Sequence, residues 1–469
     1  MQLGLGRFAE AIRSFTRAAE IFEAVSDPYN LAVAYCNLAH CFKKMATAPD
    51  LTGNAGAKML SLKQRSHYES AVEFCHRGLR TLAAASAANA AFAAVSKSQD
   101  LAAGHNNHKD ASKFRELIAI RRKLHEEEAM ICLIHGVRLG RDCASAPLKH
   151  RLQFPKWCGR GGEMKAIQLL QASLDLYISM GREDAEKQKQ SQSATNAKSR
   201  RPGKQPEPIL TKQIAAVHYQ LGLLYRQLFH RETHTDANGV PKMQPDVDAP
   251  PALLNKERQS MPVQIMVQNA LKHYRQSLRY FGNIAASLPV DNPDYSMIFL
   301  IHRDTAALHV AAACYALEQS TLSQRTSGPD HGSAVAMADL VRALDEVTEV
   351  VPFFRKCVQS SGLVAVVADQ LQSVWKILNF SLRTIVKIGQ TSKLAVPKKQ
   401  KQLLTDEQAK LFRMMYLQTL QCEFGRQANS SSPFVDTNSE LLECSVKDAI
   451  KVLDNVGKSV RSLSWGGRE

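Results

Sequence analysis

The sequence predicts an all-α protein built from helical hairpins. Three observations carry that expectation. Apolar residues recur at three- and four-residue spacing through the ordered segments. No segment alternates apolar and polar residues between turn formers, as a half-buried strand does. Small residues stand at fixed intervals between large ones, the pattern of helices that approach closely. At 469 residues and 45% hydrophobic content, the chain suffices for several domains or one elongated array.

The elements follow in order. Residues 7–25 place Phe8, Ala11, Ile12, Phe15, Ala18, Ala19 and Phe22 on one helical face. Residues 29–46 do the same with Ala32, Tyr35, Leu38, Ala39 and Phe42, and residues 67–82 with Tyr68, Ala71, Val72, Cys75, Leu79 and Leu82. The Ala/Ser-rich stretch 83–99 reads as a weak helix or loose insertion. Residues 183–208 are polar and low in complexity, so a disordered basic linker is expected there. Asn238-Gly239 and four prolines make 232–256 a long inserted loop. Further loops are expected at 319–333, 390–402 and 426–439. Helices are expected at 334–359, 363–388, 405–425 and 440–463, with Trp375 and Phe380 in the core and Trp465 capping the last helix. The domains read as 1–182 (hairpins with an insertion), 183–208 (linker), 209–318 (a hairpin with an inserted loop) and 334–463 (a C-terminal helical bundle closing the array).

The small-residue spacing is more specific. A tetratricopeptide hairpin carries Leu-Gly/Ala-x-x-Tyr/Phe on its first helix and Ala-x-x-x-Tyr/Phe-x-x-Ala/Ser on its second. Leu38-Ala39-x-x-Phe42 and Leu221-Gly222-x-x-Tyr225 fit the first pattern. Ala11/Phe15/Ala18 and Ala270/Tyr274/Ser277 fit the second, and Ala71/Cys75/Gly78 is a weaker copy of it. First and second helices pair in the right order twice, 32–42 with 68–82 and 215–229 with 262–281, so a tetratricopeptide-like array with long insertions is expected. Because the chain opens on a second-type helix, a first helix upstream is expected too.

The order of these blocks resembles the helical repeat region of the erythroid differentiation-related factor family. The segments that carry the resemblance are GRFAEAIRSFTRAAEIFEAVSDPYNLAVAYCNLAHCFK, HYESAVEFCHRGLRTL (67–82), EMKAIQLLQASLDLY (163–177), KQIAAVHYQLGLLYRQLFHR (212–231) and 266–281. It covers much of 7–281 and is thinner in the C-terminal third. The insertions at 83–110, 183–208 and 232–256 depart from the family pattern. Members of that family are much longer. The resemblance implies a nuclear protein that regulates transcription through protein contacts, with no enzyme activity.

The chemistry-bearing residues point the same way. Ten cysteines include no Cys-x-x-Cys pair, so zinc knuckles and redox dithiols lack support, and reduced, mostly buried intracellular thiols are expected. His230 and His234 lie four apart in HRETH, but Arg231 stands where a metalloprotease needs Glu, and helix-end histidines are the expectation. His105 and His108 sit in a polar segment with no carboxylate or cysteine near. GRGGE (159–163) lacks the phosphate-loop order and reads as a turn. Glu126, Glu127, Glu128, Asp345 and Glu346 read as solvated. No Gly-x-Ser-x-Gly elbow occurs. Catalytic site, metal and cofactor are expected to be absent. No run reaches the roughly 18–20 uncharged apolar residues of a membrane span; 305–317 reads as a core helix.

Lysine and arginine total 60 against 44 acids, a net charge of +16, which favours acidic partners. KSRRPGK (198–204) and PKKQK (397–401) are candidate nuclear import signals. A groove lined by first helices is expected to carry His40, Lys43, Lys44, Tyr219, Leu223 and Arg226, suited to an extended or helical acidic peptide. Cys36 and His40 stand where a clamp for a C-terminal carboxylate needs Lys and Asn, which disfavours that ligand. The functional expectation is a non-enzymatic nuclear scaffold that contacts other proteins, with the cytoplasm as the alternative location. The alternative function is a nucleic-acid-binding helical repeat.

Overall fold

A computed structural model describes residues 7–48, 60–97, 107–145, 160–194, 208–233, 261–285, 293–323, 330–359, 364–395, 403–430 and 439–463. Among them the regular elements are all helices: α1 (Phe8–Ala24), α2 (Pro28–Thr47), α3 (Leu62–Lys97), α4 (Asn107–Ser145), α5 (Arg160–Ala194), α6 (Pro208–Glu232), α7 (Val263–Ala285), α8 (Pro293–Ser323), α9 (Asp330–Glu349), α10 (Val351–Gln359), α11 (Val364–Ala395), α12 (Asp406–Ser430) and α13 (Ser439–Ser462). The all-α expectation holds. The chain divides into two compact units, Met1–Leu224 and Tyr225–Glu469, and the division falls inside α6.

Local chemistry sets the helix ends. Between α1 and α2 the chain turns through Ser26 at φ 55°, and Asp27 caps α2 by accepting the Asn30 N–H at 3.1 Å, with Pro28 in the first turn. Ser61 and Gln64 form a reciprocal capping box before α3 (3.1 and 3.2 Å), and Thr405 and Gln408 repeat it before α12 (3.0 and 3.2 Å). Pro352 cannot donate to a helical ladder, and the helix expected over 334–359 breaks at Val350 into α9 and α10.

Other boundaries shift as well. α3 runs on through the Ala/Ser-rich stretch to Lys97, and its described residues 83–88 lie at the surface apart from the half-buried Ala85. α5 extends to Ala194 across the first half of the expected linker, where Asp184 pairs with Arg122 of α4. That pairing gives the polar segment a tertiary anchor that its composition does not reveal. α8, α9, α11, α12 and α13 extend into the loops expected at 319–333, 390–402 and 426–439. Residues 195–207, 234–260, His105, His234 and Trp465 lie outside the described residues.

In unit 1 the helices run alternately up and down. Tyr35 and Phe42 of α2 lie against Phe74 of α3 (6.0 and 5.4 Å), and Phe42 against His67, so the two helices are antiparallel. α3 and α4 are antiparallel through Gly78–Leu124 and Tyr68–His135. α4 and α5 are antiparallel through Ser173, which donates to the Ala129 carbonyl at 2.8 Å, and through Gly136 against Ala166 and Leu170. α2 and α4 therefore lie side by side and parallel, joined by Glu127 and by Arg138, which donates to the Ala46 carbonyl.

One spacing recurs on four alternate helices. Ala71/Cys75/Gly78 (α3), Ala166/Leu170/Ser173 (α5), Ala270/Tyr274/Ser277 (α7) and Ala336/Leu340/Ala343 (α9) are all buried. A small residue at each end lets a neighbouring helix approach, and the larger one fills the hole between them. A Cβ added at Gly78 would stand 3.0 Å from Leu124, and one at Gly136 2.9 Å from Leu170.

Unit 2 holds the largest apolar core, drawn from α8 to α13. It contains Phe299, Phe354, Leu371, Trp375, Phe412 and Leu453, with Phe380 packed on its edge. α8 carries a stretch, Ser296–Thr321, long and apolar enough to cross a membrane, although it contains no run of roughly 18–20 uncharged apolar residues. Over half of it is buried, and its inward polar residues include three in pairs: His302 with Glu346 (2.7 Å), His309 with Asp339 (3.0 Å) and Asp304 with Arg303 (2.9 Å). It packs as a core helix.

Candidate partner-binding face

The six groove residues read from the sequence separate into two sets. Lys43, Tyr219 and Arg226 point inward. The Lys43 side chain is 10% exposed, with Nζ 2.6 Å from Glu127. Tyr219 is buried. The Arg226 side chain is 11% exposed and pairs with Asp304 at 2.9 Å, while its Nε donates to His230 Nε2 at 3.2 Å. Burial alone would lower the Arg226 pKa, but the Asp304 carboxylate and the Tyr274 hydroxyl raise it above its ordinary value. Lys43 and Arg226 are held inside the fold, because a buried charge must be matched there, and Tyr219 is likewise buried out of reach of a groove ligand. His40 and Lys44 face outward, and Leu223 is half-buried.

The outward residues of α2 form a stripe. Val33 (37% exposed), Asn37, His40 and Lys44 recur at four- and three-residue spacing over about 16 Å of helix. His40 turns Nδ1 to Glu127 at 3.1 Å. The side of α4 next to α2 continues the surface. There Met130, Ile134 and Val137 are half-buried, between exposed Lys123 and Arg141. Lys44, Lys123 and Arg141 have no carboxylate in ion-pair range among the described residues; of the exposed acids on α4, Glu126 is held by Arg122 at 3.0 Å and Glu116 stands two turns before Lys123. The result is an apolar strip with a cationic rim.

Beneath this face lies a polar seam. Glu127 and Glu128, expected to be solvated, are 16% and 13% exposed and bind Lys43, His40 and His76. Burial opposes ionisation of Glu128, but hydrogen bonds from His125 and His76 outweigh it and hold the carboxyl below its ordinary value. Glu346 likewise pairs with His302. Acidic runs look solvated when only their own helix is considered. The bases that bury these lie 44 to 87 residues away in sequence.

Burial makes the thiols of α2, α3 and α4 unreactive. Cys36, Cys41, Cys75, Cys132 and Cys143 are buried, and burial raises Cys41 to about 11 and Cys132 to about 12. Among the described residues no group of three His, Cys, Asp or Glu side chains is placed to hold a metal ion. Comparison with protein-family models, with curated proteins and with solved structures gives no match.

Proposed function

We propose that the chain is a protein-binding scaffold, a tetratricopeptide-like array whose first-helix face on α2 and α4 takes an acidic, amphipathic segment of another protein. The observation that carries this is the outward strip of Val33, Met130, Ile134 and Val137 rimmed by Lys44, Lys123 and Arg141, which have no ion-pair partner among the described residues. Apolar side chains supply the desolvated centre of an interface and cations at its rim select and steer an acidic partner. The recurring small-large-small spacing on α3, α5, α7 and α9 supports the array. The family resemblance supports a nuclear setting and a part in regulating transcription, and the two basic stretches, which lie outside the described residues, suit import.

The test is capture from nuclear extract by the tagged full chain, after nuclease and at high salt, alongside a charge-reversal variant (Lys44→Glu, Lys123→Glu, Arg141→Glu). All three positions are exposed, so the variant keeps the wild-type helix content and Tm. The reading expects a small set of proteins held by the wild type and lost by the variant. Equal recovery by both removes this face from consideration.

A further inference from the structure

The outward face of α7 differs in kind from that of α2 and α4. The helix VQIMVQNALKHYRQSLRYFGNIA contains no Asp or Glu. Lys272, Arg275 and Arg279 are exposed, and their three- and four-residue spacing puts them within about 60° of arc. No carboxylate among the described residues lies in ion-pair range of any of them. A wider arc of about 120° that contains them carries the amides of Gln264, Gln268, Gln276 and Asn283, and a Cβ added at Gly282 would have nothing within 4 Å. Ile265, 43% exposed at the amino-terminal end, is the arc's one apolar side chain.

We infer that this face binds the sugar-phosphate backbone of duplex nucleic acid without reading its sequence. An acidic protein segment gains most of its affinity by burying apolar side chains, and this arc offers one. Phosphates need fixed cations and neutral hydrogen-bond donors, and the arc consists of those. No aromatic ring projects from its centre, so single-stranded bases have nothing to stack on, and the duplex is the form that fits. Three cations along about 10 Å of helix match roughly three phosphates. The inference is independent of the α2–α4 face.

The test is fluorescence anisotropy of a labelled 20-base-pair mixed-sequence duplex with the full chain between 50 and 200 mM salt. Three phosphate contacts give a slope of log K on log salt near −2.7, a loss of roughly 40-fold over that range. The variant Lys272→Gln, Arg275→Gln, Arg279→Gln is expected to lose that slope and bind at least ten-fold more weakly at 50 mM salt, with unchanged circular dichroism. The Lys44/Lys123/Arg141 charge-reversal variant is expected to bind as the wild type does. Absence of binding at 50 mM salt, an unchanged slope in the glutamine variant, or loss of binding in the charge-reversal variant instead would overturn the inference. So would equally tight binding of poly-glutamate, which would make the stripe a dock for acidic protein.

Discussion

Asp304 has a side chain 3% exposed between Arg226 and Arg303, both at 2.9 Å. Asp304→Asn leaves two guanidiniums without their counter-charge and is expected to cost about 3–5 kcal/mol in urea unfolding. His135 offers a test in pH. It is 2% exposed, stacked on Tyr68 at 4.6 Å, and its Nε2 has no hydrogen-bond partner among the described residues. Burial, reinforced by Lys165 and Arg65, lowers its pKa to about 4. The unfolded chain, with an imidazole pKa near the ordinary 6.5, then binds a proton that the folded chain refuses. Stability therefore falls as pH drops below about 6.5, by about 2 kcal/mol on reaching pH 5. His135→Phe keeps the stack and is expected to flatten that part of the stability profile. At this scale the sequence was least legible. Lys43 and Arg226 look like groove cations on their own helices, and only Glu127 and Asp304, brought in by the fold, make them internal.

Helices were more legible, because amphipathic periodicity is local. The faces read for 7–25, 29–46 and 67–82 are the buried or half-buried ones. Two further signals are local and present in the sequence: the capping boxes Ser61-x-x-Gln64 and Thr405-x-x-Gln408, and the spacing of Ala166/Leu170/Ser173 and Ala336/Leu340/Ala343. The length of α5 was not legible, since its second half is polar and is tied to α4 by Arg122–Asp184. The account of close helix approach has a direct check. Gly136→Ala sets a methyl 2.9 Å from Leu170 and 3.2 Å from the Ala166 carbonyl, and is expected to destabilise by about 1–3 kcal/mol. Gly282→Ala meets nothing within 4 Å and is expected to stabilise by up to about 1 kcal/mol through helix propensity. Thermal unfolding of the two variants side by side reads both signs.

On the scale of the whole molecule, net charge points to a class of partner and the fold sorts the cations. A net +16 favours acidic partners but does not say where they bind. The fold absorbs some cations, such as Lys43 and Arg226, and leaves others on faces of different chemistry, apolar with a cationic rim on α2 and α4, and amide-rich on α7. The division into units inside α6 was hidden because α6 is one continuous amphipathic helix, with no linker composition to mark it.

The central claim is that proteins bind the α2–α4 face, and side-chain footprinting of the full chain with a captured partner tests it most directly. Acetylation of Lys44 and Lys123 and oxidation of Met130 are expected to fall several-fold in the complex, while Lys272 on α7 keeps its reactivity. Lys44, Lys123 and Met130 reacting as fast with the partner bound as without it would contradict the claim.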